Sequence, residues 1–312
     1  GGASTSLAWP YAEQHWFGFH FSPVLYLVVP FYALWPSPVS LQLVQSALVA
    51  LAALPIQRAA RALGCTRGES LKAAILYLFN PYTLAAAVWD FHEIAFAAPF
   101  FAALLWGIAV RGRAMVMVSA FLLLMVKEHY ALAVFGAGML LARRGDRAGG
   151  AMLCLAALVA GAAILFIMRQ AGITVEDAGA VHAVRERYAW LLQFPDAELD
   201  WAGFAKSMAQ YPFLLLGVLA FLPALAPFWL LPGLADGAAN LLSSFEIMRS
   251  PASYHTLPLI PVLVIAVCAA LGSPMLLRSG IERGRALNYA LLATVLMGWR
   301  LGPLPLSGAW NA

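Results

Sequence analysis

Eleven apolar runs, set apart by short polar turns and one longer polar stretch, dominate this chain: residues 22–35, 38–63, 70–89, 94–110, 114–126, 130–142, 149–168, 211–222, 224–240, 256–273 and 287–301. Nothing else in the sequence constrains the fold so tightly. A water-soluble chain of this length needs a polar shell around its core. The 312 residues include only 19 Lys or Arg and 15 Asp or Glu, at a mean hydropathy of +0.80. The shell is therefore lipid, which excludes a water-soluble enzyme and a disordered chain. A disulfide scaffold is excluded too, because Cys65, Cys154 and Cys268 stand apart with neither disulfide nor zinc spacing. The net charge of +4 does not mark a nucleic-acid partner, since the basic residues form no patch interleaved with aromatics.

Several runs fall short of the ~20 residues that a straight membrane helix requires. Short runs in pairs predict broken or dipping helices buried against protein. Pro23, Pro30, Pro55, Pro81, Pro223, Pro227 and Pro232 lie inside runs and predict kinks. Basic residues orient the chain. Arg58, Arg61, Arg67 and Lys72, then Arg111 and Arg113, then Arg143, Arg144 and Arg147, then Arg278, Arg283 and Arg285 flank four connections, accompanied only by Glu69, Asp146 and Glu282. The positive-inside rule assigns these turns to the cytoplasm.

Parity makes 114–126 and 130–142 two short crossings, with Lys127-Glu128-His129 at or just below the outer face. It also assigns Asp90–Glu93 and Glu246–His255 to the outside, and counts 211–222 and 224–240 as two crossings. Segment 22–35 is left as an outer-surface or re-entrant helix. The expected architecture is all-α: one polytopic integral membrane domain over 1–312. Within it, 1–37 is part of a first outer loop with a juxtamembrane helix, 38–169 is transmembrane, 170–210 is an outer loop, and 211–301 is transmembrane. A surface helix is expected in 181–194, and Asp200 suits the cap of a helix from Trp201. The chain opens on Gly1 without a visible leader and stops just after an apolar run, so a piece of a longer protein is expected.

Ionisable residues near membrane depth are costly and mark function by default. By the parity argument they share one face: Glu13, His15, His20, Asp90, His92, Glu93, Lys127, Glu128, His129, Glu246, Arg249 and His255. Asp90 and Glu93, three residues apart, would be neighbours on a helix and would orient a hydroxyl or a metal, with His92 as a hydrogen-bond donor. Lys127 offers a compact positive charge for phosphate, and Glu128 a partner for a histidine. Arg249 suits bidentate phosphate contacts, and Tyr254 stacking or hydrogen bonding with a ring. His20 precedes Ser22-Pro23, a suitable helix start. Arg185 and Arg187 read as surface charge.

The stretches HFSPVLYLVVPFYALWPSP, NPYTLAAAVWDFHEIAFAAP, LLLMVKEHYAL and FLPALAPFWLLPGLADGAANLLSS followed by SYHTLPLIP resemble a bacterial family of polytopic membrane proteins known as domain of unknown function 2079. The resemblance covers nearly the whole chain. It implies the GT-C fold of multi-spanning glycosyltransferases, which take lipid-phosphate-linked sugars at the outer face, beneath a first extracytoplasmic loop. It implies a multi-pass protein of the bacterial inner membrane. It carries His20-Phe21-Ser22-Pro23 onto a histidine-proline segment of that loop and makes 22–35 a juxtamembrane helix. Asp90, His92, Glu93, Lys127, Glu128, Tyr254 and His255 fall on the family's other polar motifs. The usual lysine-glutamate-aspartate run reads Lys127-Glu128-His129 here, which weakens a metal role at that point. The first transmembrane helix and the acid that follows it in GT-C enzymes are missing from this chain, and Glu13 is a weak substitute.

The function expected from residues and resemblance together is sugar transfer from a polyprenyl-phosphate donor to a glycan, lipid or protein acceptor. Asp90, His92, Glu93, Glu128 and His20 are the candidate catalytic groups. Lys127, His129, Arg249, Tyr254 and His255 are the candidate binding groups, and a divalent cation, Mg or Mn, is an optional cofactor. A transporter or flippase of lipid-linked intermediates and a non-catalytic membrane scaffold are the alternatives.

Overall fold

A helix that is apolar on every side must be enclosed on every side or face lipid. Residues 259–270, LIPVLVIAVCAA, are such a segment. In a computed structural model, which describes residues 20–171, 187–193 and 200–303, the helix Leu259–Ala270 stands at the centre, with eleven of its twelve residues buried. At 1.5 Å per residue it is about 18 Å long, too short to cross a bilayer alone. Its neighbours supply the remaining cover.

Numbering the helices of eight residues or more, these are α1 (Pro38–Leu51), α2 (Ala53–Ala62), α3 (Arg67–Leu78), α4 (Pro81–Val88), α5 (Ala97–Val110), α6 (Arg113–Leu124), α7 (Tyr130–Arg143), α8 (Arg147–Gln170), α9 (Trp201–Gly217), α10 (Leu234–Leu242), α11 (Leu259–Ala270) and α12 (Arg283–Leu301). Every element among the described residues is helical. Helix α11 packs on α2, α3, α5 and the 222–233 segment, while α8 packs on α7 at the periphery. Among the described residues three stretches are long and apolar enough to cross a membrane: Pro38–Ala62, Glu93–Val110 and Arg147–Gln170. The pair α3 and α4 is a fourth candidate, bent by 47°. The chain is thus a multi-pass helical membrane protein.

Local sequence explains the breaks. Asn80 caps α4 through its side chain and Pro81 begins it, so α3 stops there and the chain bends. Thr66 and Glu69 form a capping box on α3. Asp200 accepts from the Gly203 amide at the start of α9, as its position suggests. Segment 22–35 is a 3-10 turn, Pro23–Leu27, followed by a short helix, Val29–Leu34. Pro23 starts it, but the Ser22 side chain makes no capping bond.

The run 224–240 departs from a continuous helix. Pro223, Pro227 and Pro232 withdraw amide donors, so Leu222–Leu225 and Pro227–Gly233 form 3-10 turns and only α10 is α-helical. The backbone reverses into it through Ala220 and Phe221, both left-handed at φ 51° and 57°. The run still extends between the two ends of the bundle. Phe228 and Trp229 sit under the Arg143 and Arg144 guanidiniums, 4.7 and 4.9 Å from their ring centres, whereas Asp236 reaches His129.

The arginine-bearing turns meet one another in pairs. Arg113 bonds Asp146 at 3.1 Å, Arg111 donates to the Arg144 carbonyl, and Arg283 donates to the Gly64 carbonyl. The α6–α7 hairpin therefore returns to the end from which it left, and carries Lys127-Glu128-His129 at the other.

Candidate functional site

Each member of that triplet is held by a different part of the chain. Lys127 Nζ donates to Glu93 Oε1 at 2.8 Å, both side chains nearly buried. Glu128 accepts from His20 Nδ1 and from the Phe21 amide, each at 3.2 Å. His129 Nε2 lies 2.9 Å from Asp236 Oδ1 on α10. The Val24 amide donates to the Met125 carbonyl, which fixes the start of 22–35 on the same turn. Three remote segments thus converge on three consecutive residues.

A second arrangement joins them. The rings of His92, Tyr254 and His255 form a stack, with centroids 3.6 and 4.0 Å apart. Gln45 of α1, buried, positions one side: it accepts from the His92 amide and donates to the Ala86 and Trp89 carbonyls. His255 is fixed by Ser253 Oγ at 2.8 Å from its Nδ1.

Between these groups lies a cavity of about 490 Å³. His20, Lys127, His129, Arg187, Asp236 and His255 give it a polar side, and Ile94, Leu165, Met168 and Met248 an apolar one. Leu165 belongs to peripheral α8 and is itself exposed, so the apolar side continues onto a lipid-facing surface.

The charges in this cavity are unequal. Burial works against ionising Glu128, but the His20 hydrogen bond, with His20, His129 and Lys127 close by, outweighs it and holds the carboxyl at about 2. Burial, with Lys127, Arg187, His92 and His129 nearby, lowers His255 to about 3. His255 is a neutral hydrogen-bonding ring at ordinary pH and supplies no positive charge. Arg187 supplies it instead, alongside Lys127 in its pair with Glu93.

Of the residues singled out from sequence, His20, Glu93, Lys127, Glu128, His129, Tyr254 and His255 come together at this end, with His92 behind Tyr254. Asp90 does not join them. It is exposed, the chain at 90–92 is not helical, and Glu93 turns inward to Lys127, so the two carboxylates are not a pair. Arg249 is also elsewhere: it is buried, donates to Ser207 Oγ and the Ser243 carbonyl, and lies over the Phe204 ring. Its role is to tie α9 to the 243–249 turn. Tyr254 has both faces covered by histidine rings, which leaves its edge and hydroxyl for any ligand. Glu13, His15 and Arg185 lie outside the described residues, as does most of the expected 181–194 helix, of which Trp190–Gln193 is seen.

Sequence reasoning missed Asp236 and Gln45, and it read Arg187 as surface charge where the structure places it in the cavity lining. Asp236 carried a usable signal, a lone acid within an apolar run. Among the described residues no group of three His, Cys, Asp or Glu side chains is placed to hold a metal ion. Glu93, Glu128 and Asp236 are each engaged by a lysine or histidine, so the donor set does not fit a divalent cation and no step is assigned to one.

Fold and site together define a multi-pass helical membrane protein with an amphiphilic cavity at the end opposite its arginine turns. Residues 3–305 match the family described as Predicted membrane protein (DUF2079), and the chain belongs to that family. No curated protein and no solved structure matches it.

Proposed function

We propose that this protein is a GT-C-like glycosyltransferase of the bacterial inner membrane, moving a sugar from a polyprenyl-phosphate donor to an acceptor at the extracytoplasmic face. The observation that carries the reading is the cavity's two-sided lining. A lipid-linked phosphate requires fixed positive charge beside an apolar, lipid-facing wall. Arg187 supplies the charge beside the Lys127–Glu93 pair, and Leu165 and Met168 of α8 supply the wall. Electrostatic stabilisation of a departing phosphate is a large contribution to such a reaction. The imidazole of His255 and the hydroxyl of Tyr254 are suited to hydrogen-bond sugar hydroxyls, which an apolar pocket alone does not select.

The test is transfer by the full-length protein in vesicles supplied with polyprenyl-phosphate sugars. Wild type is expected to transfer, and Arg187→Gln to raise the donor KM by roughly 10-fold, as loss of a charged hydrogen bond predicts. Folded protein that transfers from none of the donors, yet moves the lipid-linked sugar between leaflets, overturns the reading in favour of transport.

A further inference from the structure

We propose that His129, oriented by Asp236, is the group that takes the acceptor's proton in this cavity; the proposal rests on the transfer reading above. His129 Nε2 lies 2.9 Å from Asp236 Oδ1, and for the ring to act as a base its one proton has to sit on Nε2, facing a carboxylate that accepts and does not donate. The lone pair is then on Nδ1. Asp236 is buried, its side chain 7% exposed, while that of His129 is 35% exposed, and both line the cavity. The second carboxylate oxygen, Oδ2, is buried with no hydrogen-bond partner among the described residues. The charge of Asp236 is thus directed at the imidazole with little competition, in a setting of low dielectric.

Other groups in or beside the cavity have different engagements. Glu93 is paired with Lys127, Glu128 with His20, and His255 is held by Ser253 and stacked on Tyr254. His92 is turned to the Asp90 carbonyl. His129 combines a pocket-lining position with a buried acid behind it.

The acceptor O–H bond breaks and its proton passes to His129 Nδ1, while the oxygen lone pair forms the bond to the anomeric carbon. The bond from that carbon to the phosphate oxygen breaks, and its electron pair leaves with the lipid phosphate toward Lys127 and Arg187. The imidazolium, stabilised by Asp236, returns its proton to water or to the phosphate. His129 is the catalytic group and Asp236 a positioning residue.

The experiment uses the full chain in vesicles with a polyprenyl-phosphate sugar. His129→Gly is expected to lower kcat by ~10²-fold or more with little change in donor KM, and added imidazole to restore part of it. Asp236→Asn should lower kcat by roughly 10-fold, and nitrogen-15 spectra of His129 should lose the Nε2–H tautomer. Full kcat in both variants while wild type transfers overturns the inference and leaves the transfer reading standing. So does folded His129→Gly and His129→Gln protein that imidazole does not rescue. Wild type that transfers nothing overturns both.

Discussion

Lys127 is a cation held almost out of solvent, and Glu93 at 2.8 Å is what makes that tolerable. Removing one member of a buried pair leaves the other uncompensated, which costs about 3–5 kcal/mol. Lys127→Met is therefore expected to destabilise the protein by that order, and Lys127→Met with Glu93→Gln to recover most of the loss, read by thermal unfolding in detergent. A pH effect belongs to the same scale. His255 is lowered to about 3 by burial and nearby positive charge. Its unfolded form binds a proton below about 6.5, so its stabilising contribution is complete above that pH and is lost as pH falls toward 3. Acid unfolding of His255→Asn should decline less steeply across that window than wild type; parallel curves would show that burial of His255 costs nothing. The triplet's place on the turn between two helices was legible from sequence, because three ionisable residues interrupt apolar runs. Its partners were not, because Asp236 and Glu93 reach it through turns whose geometry depends on packing.

Helix α7 lies so close to its neighbours that glycine is required at particular places. A Cβ on Gly138 would sit 2.6 Å from Cys154 Sγ and 2.8 Å from the Gly150 carbonyl on α8, and one on Gly136 would meet the Leu231 carbonyl. Small residues at such crossings let membrane helices approach backbone to backbone. This close approach brings the 227–233 segment, and hence Asp236, against the triplet's own helix. Gly138→Val is expected to cost about 1–3 kcal/mol, the usual range for overpacking. Gly68→Ala on α3, exposed with nothing within 4 Å of the added carbon, should gain about 0.5–1 kcal/mol. Thermal unfolding of the two side by side checks the contrast, and equal effects would mean that the α7–α8 crossing can relax. The sequence located these helices well, since their apolar runs are bounded by charge. It did not reveal that 222–233 is 3-10 rather than α, although Pro223, Pro227 and Pro232 pointed to interruption. Proline says where a helix stops, and packing decides what replaces it.

At the scale of the molecule, charge is divided between two ends, and from the positive-inside rule we propose that the cavity faces away from the cytoplasm. Four turns carry twelve Lys or Arg against Glu69, Asp146 and Glu282, and their contacts join them in pairs away from the triplet. Retaining that much positive charge on the cytoplasmic side is what orients multi-spanning proteins. With Cys65, Cys154 and Cys268 replaced by Ala, Asp90→Cys is expected to react with an impermeant maleimide added to right-side-out vesicles. Ser279→Cys should react only after the vesicles are opened. Both native positions are solvent-exposed, so access rather than burial decides the outcome. Labelling of Ser279→Cys alone in sealed vesicles would invert the protein. The Lys127 cavity would then open to the cytoplasm, where an extracytoplasmic lipid-linked donor cannot reach it.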